Sequence, residues 1–291
     1  MSRPIPRTVV LSNGVEMPRV GLGTFRVRGQ EAAQAVTAAL NAGTRHIDTA
    51  SIYKNEAEIG EAIRMSGVPR EDVFVTSKVS PYEQGEAGAS AAVDAILNRL
   101  GMEYVDLLLV HWPGVARAKR EGPENAAARL GTWRVLERCY EEGRCRAIGV
   151  SNYTQGHLKE LLGVSKVAPA VNQIEVHPRC QQRELREFCA QNHVAVVAYA
   201  SLGSGELLCE RHVQDAAAAS ETTPARALLL WGLHHGCCVI PKSGDPTRIA
   251  AASEPALLGG AGLSQASLAQ LDGMEELLGR KKICWDPEGI A

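Results

Sequence analysis

The chain has 291 residues, 45% of them apolar and 22% charged, and a formal net charge of -2. That size suits one α/β barrel around a single core, and the charge leaves no basic footprint for nucleic acid or an anionic membrane surface. Met1 to Val10 lack the apolar run of a secretory signal and no stretch of ~18 apolar residues could span a bilayer, so the reading is one cytoplasmic domain, 1–291, with no membrane or nucleic-acid partner.

In chain order, the first element is a hairpin over Val9–Val15, with an Asn13-Gly14 turn between two short extended runs. From about Arg19 to Ile249, short apolar runs alternate with helical patterns, which signals βα units and a parallel sheet. The predicted strands are Val20–Gly23, Arg45–Asp48, Val73–Lys78, Val105–His111, Ala147–Ser151, Ala170–Glu175, Val194–Ala200 and Cys238–Pro241. Helical patterns over Glu31–Asn41, Glu56–Met65 and Ala89–Leu100 fall between the early ones. A spacing of about thirty residues per unit predicts a closed (β/α)8 TIM barrel, with the hairpin at its bottom.

Thr223-Pro224 reads as an N-cap followed by proline at the first helical position, ahead of the apolar face of Ala227 to Leu233, and Gly236 ends that helix. A further helical pattern runs from Ser264 to Leu278, and the tail ends shortly after Trp285. The eight cysteines, from Cys139 onward, form no CxxC pair and read as reduced, mostly buried thiols. His234, His235, Cys237 and Cys238 crowd together, but adjacent side chains diverge where zinc draws on spaced pairs, so no metal site is read there.

The active site of such a barrel lies at the C-terminal ends of its strands. Three successive strands end on Asp48, Lys78 and His111, and Tyr53 follows Asp48 in the next loop. Each alone has an ordinary structural explanation, yet the four make chemical sense together. A carbonyl that accepts hydride needs a proton at the same site, and a free tyrosine, with a pKa of ~10, is a poorly matched donor. A nearby Lys78 favours the phenolate and lowers that pKa, Asp48 holds the lysine, and His111 donates a hydrogen bond to the substrate oxygen.

On these residues the chain resembles the aldo-keto reductases, in their diketogluconate-reductase-like or prostaglandin-F-synthase-like branches. The matching segments are GLGTF at Gly21–Phe25, HIDTASIYKNE at His46–Glu56, TSK at Thr76–Lys78, VDLLLVHWP at Val105–Pro113, AIGVSNY at Ala147–Tyr153, NQIEVHP at Asn172–Pro178 and IPKS at Ile240–Ser243. The resemblance covers Gly21 to about Arg248, and again Cys284-Trp285. It implies reduction of aldehydes or ketones by hydride transfer, in a monomer, with Tyr53, Asp48, Lys78 and His111 as the catalytic tetrad and Tyr53 as the acid.

The Gly21-Leu22-Gly23 run is not a Rossmann fingerprint, since Arg26 replaces the last glycine. By resemblance, Ser151, Asn152 and Gln173 hold the nicotinamide carboxamide and Tyr199 stacks on the ring, with Gly23, Thr24, Asp48, Leu202, Ser204 and Ser243 also at the cofactor. Lys242 and Arg248 flank the start of the last barrel helix and suit the extra phosphate of NADP, which favours NADPH over a weaker NADH. Here the chain departs from the family: Ala251 and Ala252 stand where many members carry an acidic residue and an Asn, and Asp245 adds a negative charge.

Phe25 and Trp112, with Trp285, are the apolar substrate walls beside Tyr53 and His111, and the charged Gly114–Ala128 loop reads as solvated. Short segments after Ser201 and Trp285 predict an open pocket. Two alternatives stand beside carbonyl reduction: the same site run as an alcohol dehydrogenase, and a non-catalytic redox-sensing module like the potassium-channel β subunits of this family.

Overall fold

A computed structural model describes residues 5–291; Met1–Pro4, part of the segment read for a secretory signal, lie outside it. The hairpin comes first, β1 (Thr8–Val10) and β2 (Glu16–Pro18). The barrel strands and helices then alternate: β3 (Leu22–Gly23), α1 (Gly29–Asn41), β4 (His46–Asp48), α2 (Glu56–Met65), β5 (Phe74–Val79), α3 (Glu86–Leu100), β6 (Val105–Val110) and α4 (Glu124–Glu141). They continue as β7 (Cys145–Ser151), α5 (Gln155–Val164), β8 (Val171–Glu175), α6 (Arg183–Gln191), β9 (Ala195–Tyr199), α7 (Arg211–Ala219), α8 (Pro224–His234) and β10 (Cys238–Val239). Four short helices complete the described chain: α9 (Pro246–Ala251), α10 (Glu254–Leu258), α11 (Gln265–Asp272) and α12 (Met274–Leu278).

Strands β3 to β10 pair in chain order and all run parallel. The ring closes between its first and last strands, where Gly21 N donates to Val239 O (2.9 Å), Val239 N to Arg19 O (2.7 Å) and Gly23 N to Pro241 O (3.0 Å). This is the (β/α)8 barrel the alternation predicts, with all eight strands at the expected places.

Because side chains alternate along a strand, each strand feeds two cores. Phe74, Leu107, Leu109, Ala147, Val171, Val197 and Cys238 fill the barrel interior, while Ile47, Val75, Leu108 and Val110 face the helices. Leu11 and Met17 of the hairpin belong to the inner cluster, so the hairpin plugs the bottom, and Asn13 Nδ2 ties its turn to Arg146 O at 2.9 Å.

Helix α8 starts as read: Thr223 accepts the Arg226 N–H, Pro224 is its first residue, and Gly236 at φ +78° ends the turn beyond it. The pattern over Ser264–Leu278 is two helices rather than one. The Asp272 carbonyl accepts from Gln181 Nε2 (2.9 Å) and Arg183 Nη2 (2.8 Å), and Gly273 follows with the lowest helix propensity short of proline. The His234–Cys238 cluster disperses, with His234 Nδ1 at Leu230 O (2.8 Å), His235 Nε2 at Asp272 Oδ1 (2.6 Å) and both thiols buried. Among the described residues no helix is long and apolar enough to cross a membrane.

Gly60 sits where α2 meets α3, and a Cβ there would lie 1.9 Å from the Leu100 carbonyl oxygen. Backbone cannot yield as a side chain does, so Gly60→Ala should destabilise the fold by about 3 kcal/mol. Thermal unfolding checks this, and an unchanged Tm would mean that the two helices are free to separate.

Candidate active site

The same alternation that fills the interior sets the chemistry. On β4, His46 and Asp48 point inward; on β5, Phe74, Thr76 and Lys78; on β8, Val171, Gln173 and Glu175. Apolar or neutral residues occupy the lower layers of each series and charged ones the top, where the strand ends.

Lys78 is fully buried and donates to Asp48 Oδ1 at 2.6 Å and to the Thr49 carbonyl at 2.8 Å. The second oxygen of Asp48 accepts Gln173 Nε2 at 2.7 Å, so the carboxylate is held from two strands. Tyr53 stands above this pair on a single 3-10 turn, Ser51–Tyr53, that ends with Lys54 in the left-handed region at φ +56°. Buried Asn55 fixes the turn by accepting from Thr49 Oγ1 (2.7 Å) and donating to the carbonyls of Thr24 (3.0 Å) and Val27 (2.8 Å).

The Tyr53 ring centroid is 5.2 Å from Lys78 Nζ, 5.7 Å from the His111 ring and 5.2 Å from Phe25. All four residues read from the strand ends therefore meet at one place. Their charges answer to burial first. Burial lowers Lys78, with Asp48 opposing. It drives His111 well below the usual imidazole range, helped by the Lys78 charge, so His111 is neutral.

Tyr53 departs from the sequence reading. Burial, then the Asp48 charge and the Cys284 thiol, hold its phenol well above the ordinary value, whereas Lys78 was expected to lower it. The ammonium donates to Asp48 and Thr49, and burial dominates at the phenol. The phenol stays protonated.

The residues implied for the nicotinamide lie beside this centre. Ser151 Oγ donates to Gln173 O (2.8 Å); Asn152, at φ +63°, donates to His111 O (3.0 Å) and accepts the Tyr199 hydroxyl (2.6 Å). Gly23 pairs with Asp48 across β3 and β4, and Thr24 Oγ1 donates to Asp48 O at 2.9 Å. Leu202 is half-buried and Ser204 exposed at φ +55° in the loop after β9.

Lys242 and Ser243 follow β10, with Lys242 bridged to Gly23, and Arg248 lies in α9. Asp245 caps α9 by accepting the Arg248 N–H at 2.9 Å, its carboxylate lies 3.9 Å from Arg248 Nε, and its own N–H donates to Ser243 Oγ at 3.0 Å. Lys242 and Arg248 are exposed, so two cations face solvent with one carboxylate between them.

Trp112 meets Trp285 with ring centroids 6.0 Å apart, and Phe25 and Trp285 are 50% and 79% exposed. The segment read as a loop over Gly114–Ala128 is loop only to Pro123, since α4 starts at Glu124; its charged side chains point to solvent as read, and Asn125, in the first turn of α4, braces it through four backbone partners.

Sequence reading missed Glu175 and the segment it holds. Glu175 is fully buried; Oε1 accepts His177 Nε2 (3.1 Å) and Ile283 N (2.6 Å), and Oε2 accepts Lys282 Nζ (2.8 Å) and Cys284 N (3.0 Å). Burial alone would raise this carboxyl, but its donors hold it down at about 2. The signal was present, since Glu175 is two residues beyond Gln173 and so shares its inward face.

Comparison with known proteins places the barrel among the oxidoreductases: the chain belongs to the aldo/keto reductase family, whose sequence profile matches residues 19–243. It is 43% identical over 286 residues to a 9,11-endoperoxide prostaglandin H2 reductase of Trypanosoma cruzi, covering 97% of this chain and 95% of that one. It is 44% identical over 250 residues to a glyoxal reductase of Bacillus subtilis, covering 86% and 87%. Among solved structures, an aldo-keto reductase from a Medee basin deep-sea metagenome library superposes with a TM-score of 0.87 at 37% identity, covering 98% of this chain and 99% of that one.

Proposed function

We propose that this protein reduces aldehydes and ketones to alcohols with NADPH, and that Tyr53 supplies the proton. The observation that carries the reading is the buried 2.6 Å Lys78–Asp48 pair beneath Tyr53, with neutral His111 on the other side of the phenol. The names of the relatives, a glyoxal reductase and an endoperoxide reductase, agree with this class of reaction.

The residues present fit a nicotinamide nucleotide. His111 Nδ1 is buried without a hydrogen-bond partner, and Ser151, Asn152, Gln173 and Tyr199 line the adjoining strand ends. These four would hold the nicotinamide, with Gly23, Thr24, Leu202 and Ser204 nearby and Lys242, Ser243 and Arg248 at the adenosine phosphate. When bound, the reduced cofactor supplies the hydride.

The protein's own groups do the rest. His111 donates to the carbonyl oxygen and orients it, and Tyr53 gives its proton to the oxygen as negative charge develops. A phenol held protonated by its surroundings is a loaded donor. Lys78 then stabilises the phenolate left behind, and Asp48 keeps the lysine charged in a buried place. Phe25 and Trp112 bound the substrate beside these two.

The test follows disappearance of NADPH and NADH in parallel over a panel of small aldehydes, ketones and quinones. Turnover with NADPH supports the reductase; nucleotide binding without turnover across the panel moves the weight to a sensing module, and faster oxidation of alcohols to the reverse direction. Arg248→Ala should weaken NADPH much more than NADH in equilibrium binding. An equal loss for both would show that the phosphate lies elsewhere. The free thiols and single closed barrel agree with a cytoplasmic, one-domain monomer as the working state.

A further inference from the structure

Tyr53 and Lys78 have to keep a fixed separation if one is to support the other, yet they come from different elements. Lys78 is next to last in β5, and Tyr53 rides on the single turn Ser51–Tyr53 between β4 and α2. That turn has little of its own to hold its shape. It closes with one hydrogen bond, Tyr53 N to Ala50 O at 2.9 Å, and runs into Lys54 at φ +56°, a region that a residue with a Cβ enters at a cost.

What holds the turn comes from behind the barrel wall. Thr76 and Lys78 point into the barrel, so Ser77 between them points out, towards α2. There its hydroxyl donates at 2.8 Å to Oε1 of Glu56, the first residue of α2. Glu56 is 1% exposed, and its second oxygen accepts Arg99 Nε of α3 at 2.6 Å, so the carboxylate is fixed from two elements. At the other end of the turn, Ser51 Oγ donates to Glu83 Oε2, and the same oxygen accepts the Ser80 N–H at 2.9 Å.

The placement of these contacts is what makes them a device. Ser51 opens the turn and Glu56 lies just past its end, while Ser77 and Ser80 lie on either side of Lys78. Two carboxylates thus join the strand that carries the lysine to both ends of the segment that carries the tyrosine. Burial raises the Glu56 carboxyl, with Ser77 and Arg99 opposing, and the Glu56 charge in turn favours the ammonium of Lys78. Asn55 does not replace either contact, because it ties the turn to Thr49, Thr24 and Val27 rather than to β5.

We propose that Glu56 and Glu83 are positioning residues that clamp the Tyr53 turn at both ends to β5 and so set the phenol over Lys78. This rests on the reductase reading and adds the parts that keep its proton donor in register.

The test removes one hydroxyl at each end, in Ser77→Ala, Ser51→Ala and the double variant, and spares the side chains assigned to the carbonyl and the nucleotide. Misplacing reacting groups by ~1 Å costs about a hundredfold in rate. Each single variant should lower kcat about tenfold and the double variant about a hundredfold, with KM for NADPH and for methylglyoxal nearly unchanged. The solvent deuterium isotope effect on single turnover should grow, since proton transfer is the step set back. Ser66→Ala is the matched control. It removes a hydroxyl that bonds Ile63 O (2.6 Å) and Val68 N (3.2 Å) at the far end of α2, so it loosens the same helix and should keep kcat.

An equal loss of kcat in Ser66→Ala, an unaltered isotope effect, or KM rises as large as the kcat losses overturn the proposal, because each marks general loosening of the fold. Amide hydrogen exchange at Tyr53 reads the clamp without catalysis and should quicken in the double variant; unaltered protection there also overturns it. Quickened exchange in a protein whose wild type turns over no carbonyl supports the clamp and sinks the reductase reading alone.

Discussion

Tyr53→Phe should lower turnover by at least ~10²-fold while nucleotide binding survives. The substitution deletes one hydroxyl and keeps the ring against Phe25 and His111, so the pocket retains its shape. Among the described residues the other candidates are poorly placed to act as acids: burial holds His111 well below the usual imidazole range, and Lys78 is committed to Asp48 and Thr49. Single-turnover measurements with NADPH check the result, and near-normal rates would remove Tyr53 from its role.

Lys78→Met should be damaging twice over. Turnover should fall by a similar factor, because the phenolate left after proton transfer loses the ammonium that lies 5.2 Å from the ring. Stability should fall too, by about 3–5 kcal/mol, since Asp48 is left in the barrel interior without its ammonium and with Gln173 as its remaining side-chain partner. The two effects can be separated. In Asp48→Leu combined with Lys78→Met the stranded charge is gone, so the Tm should return towards wild type while turnover stays lost. A double variant that is both unstable and inactive would mean that the pair is mainly a packing element.

Much of this was legible beforehand because the barrel makes few demands that the sequence conceals. Apolar runs of strand length ending near Asp48, Lys78 and His111 pointed to the fold and to the place where these side chains converge, since a strand's last inward residues face the barrel mouth. The Asn13-Gly14 turn and the Thr223-Pro224 start declared themselves by local backbone preference. Two things did not. The direction of the Tyr53 shift follows from burial first and the Asp48 charge second, which depend on how the folded chain packs around the ring rather than on residue type. The hydrogen bonds of Glu175 to Ile283 and Cys284 join residues more than a hundred positions apart; the inward face of Glu175 was readable, but the pattern around Ile283 contains nothing periodic to announce its partner. The split of the Ser264–Leu278 helix has the same origin, a carbonyl diverted to Gln181 and Arg183.

The seam of the ring has a consequence for how the molecule comes into being. Its first strand spans only Leu22–Gly23 and its last only Cys238–Val239, and their mutual hydrogen bonds join the two ends of the barrel's sequence. During synthesis the early strands must wait, with one edge bare, until Val239 has left the ribosome. Contacts so distant along the chain also close slowly. The interval before closure is therefore when this protein is most exposed to aggregation, and its vulnerable surface then is the open edge at Val20–Gly23.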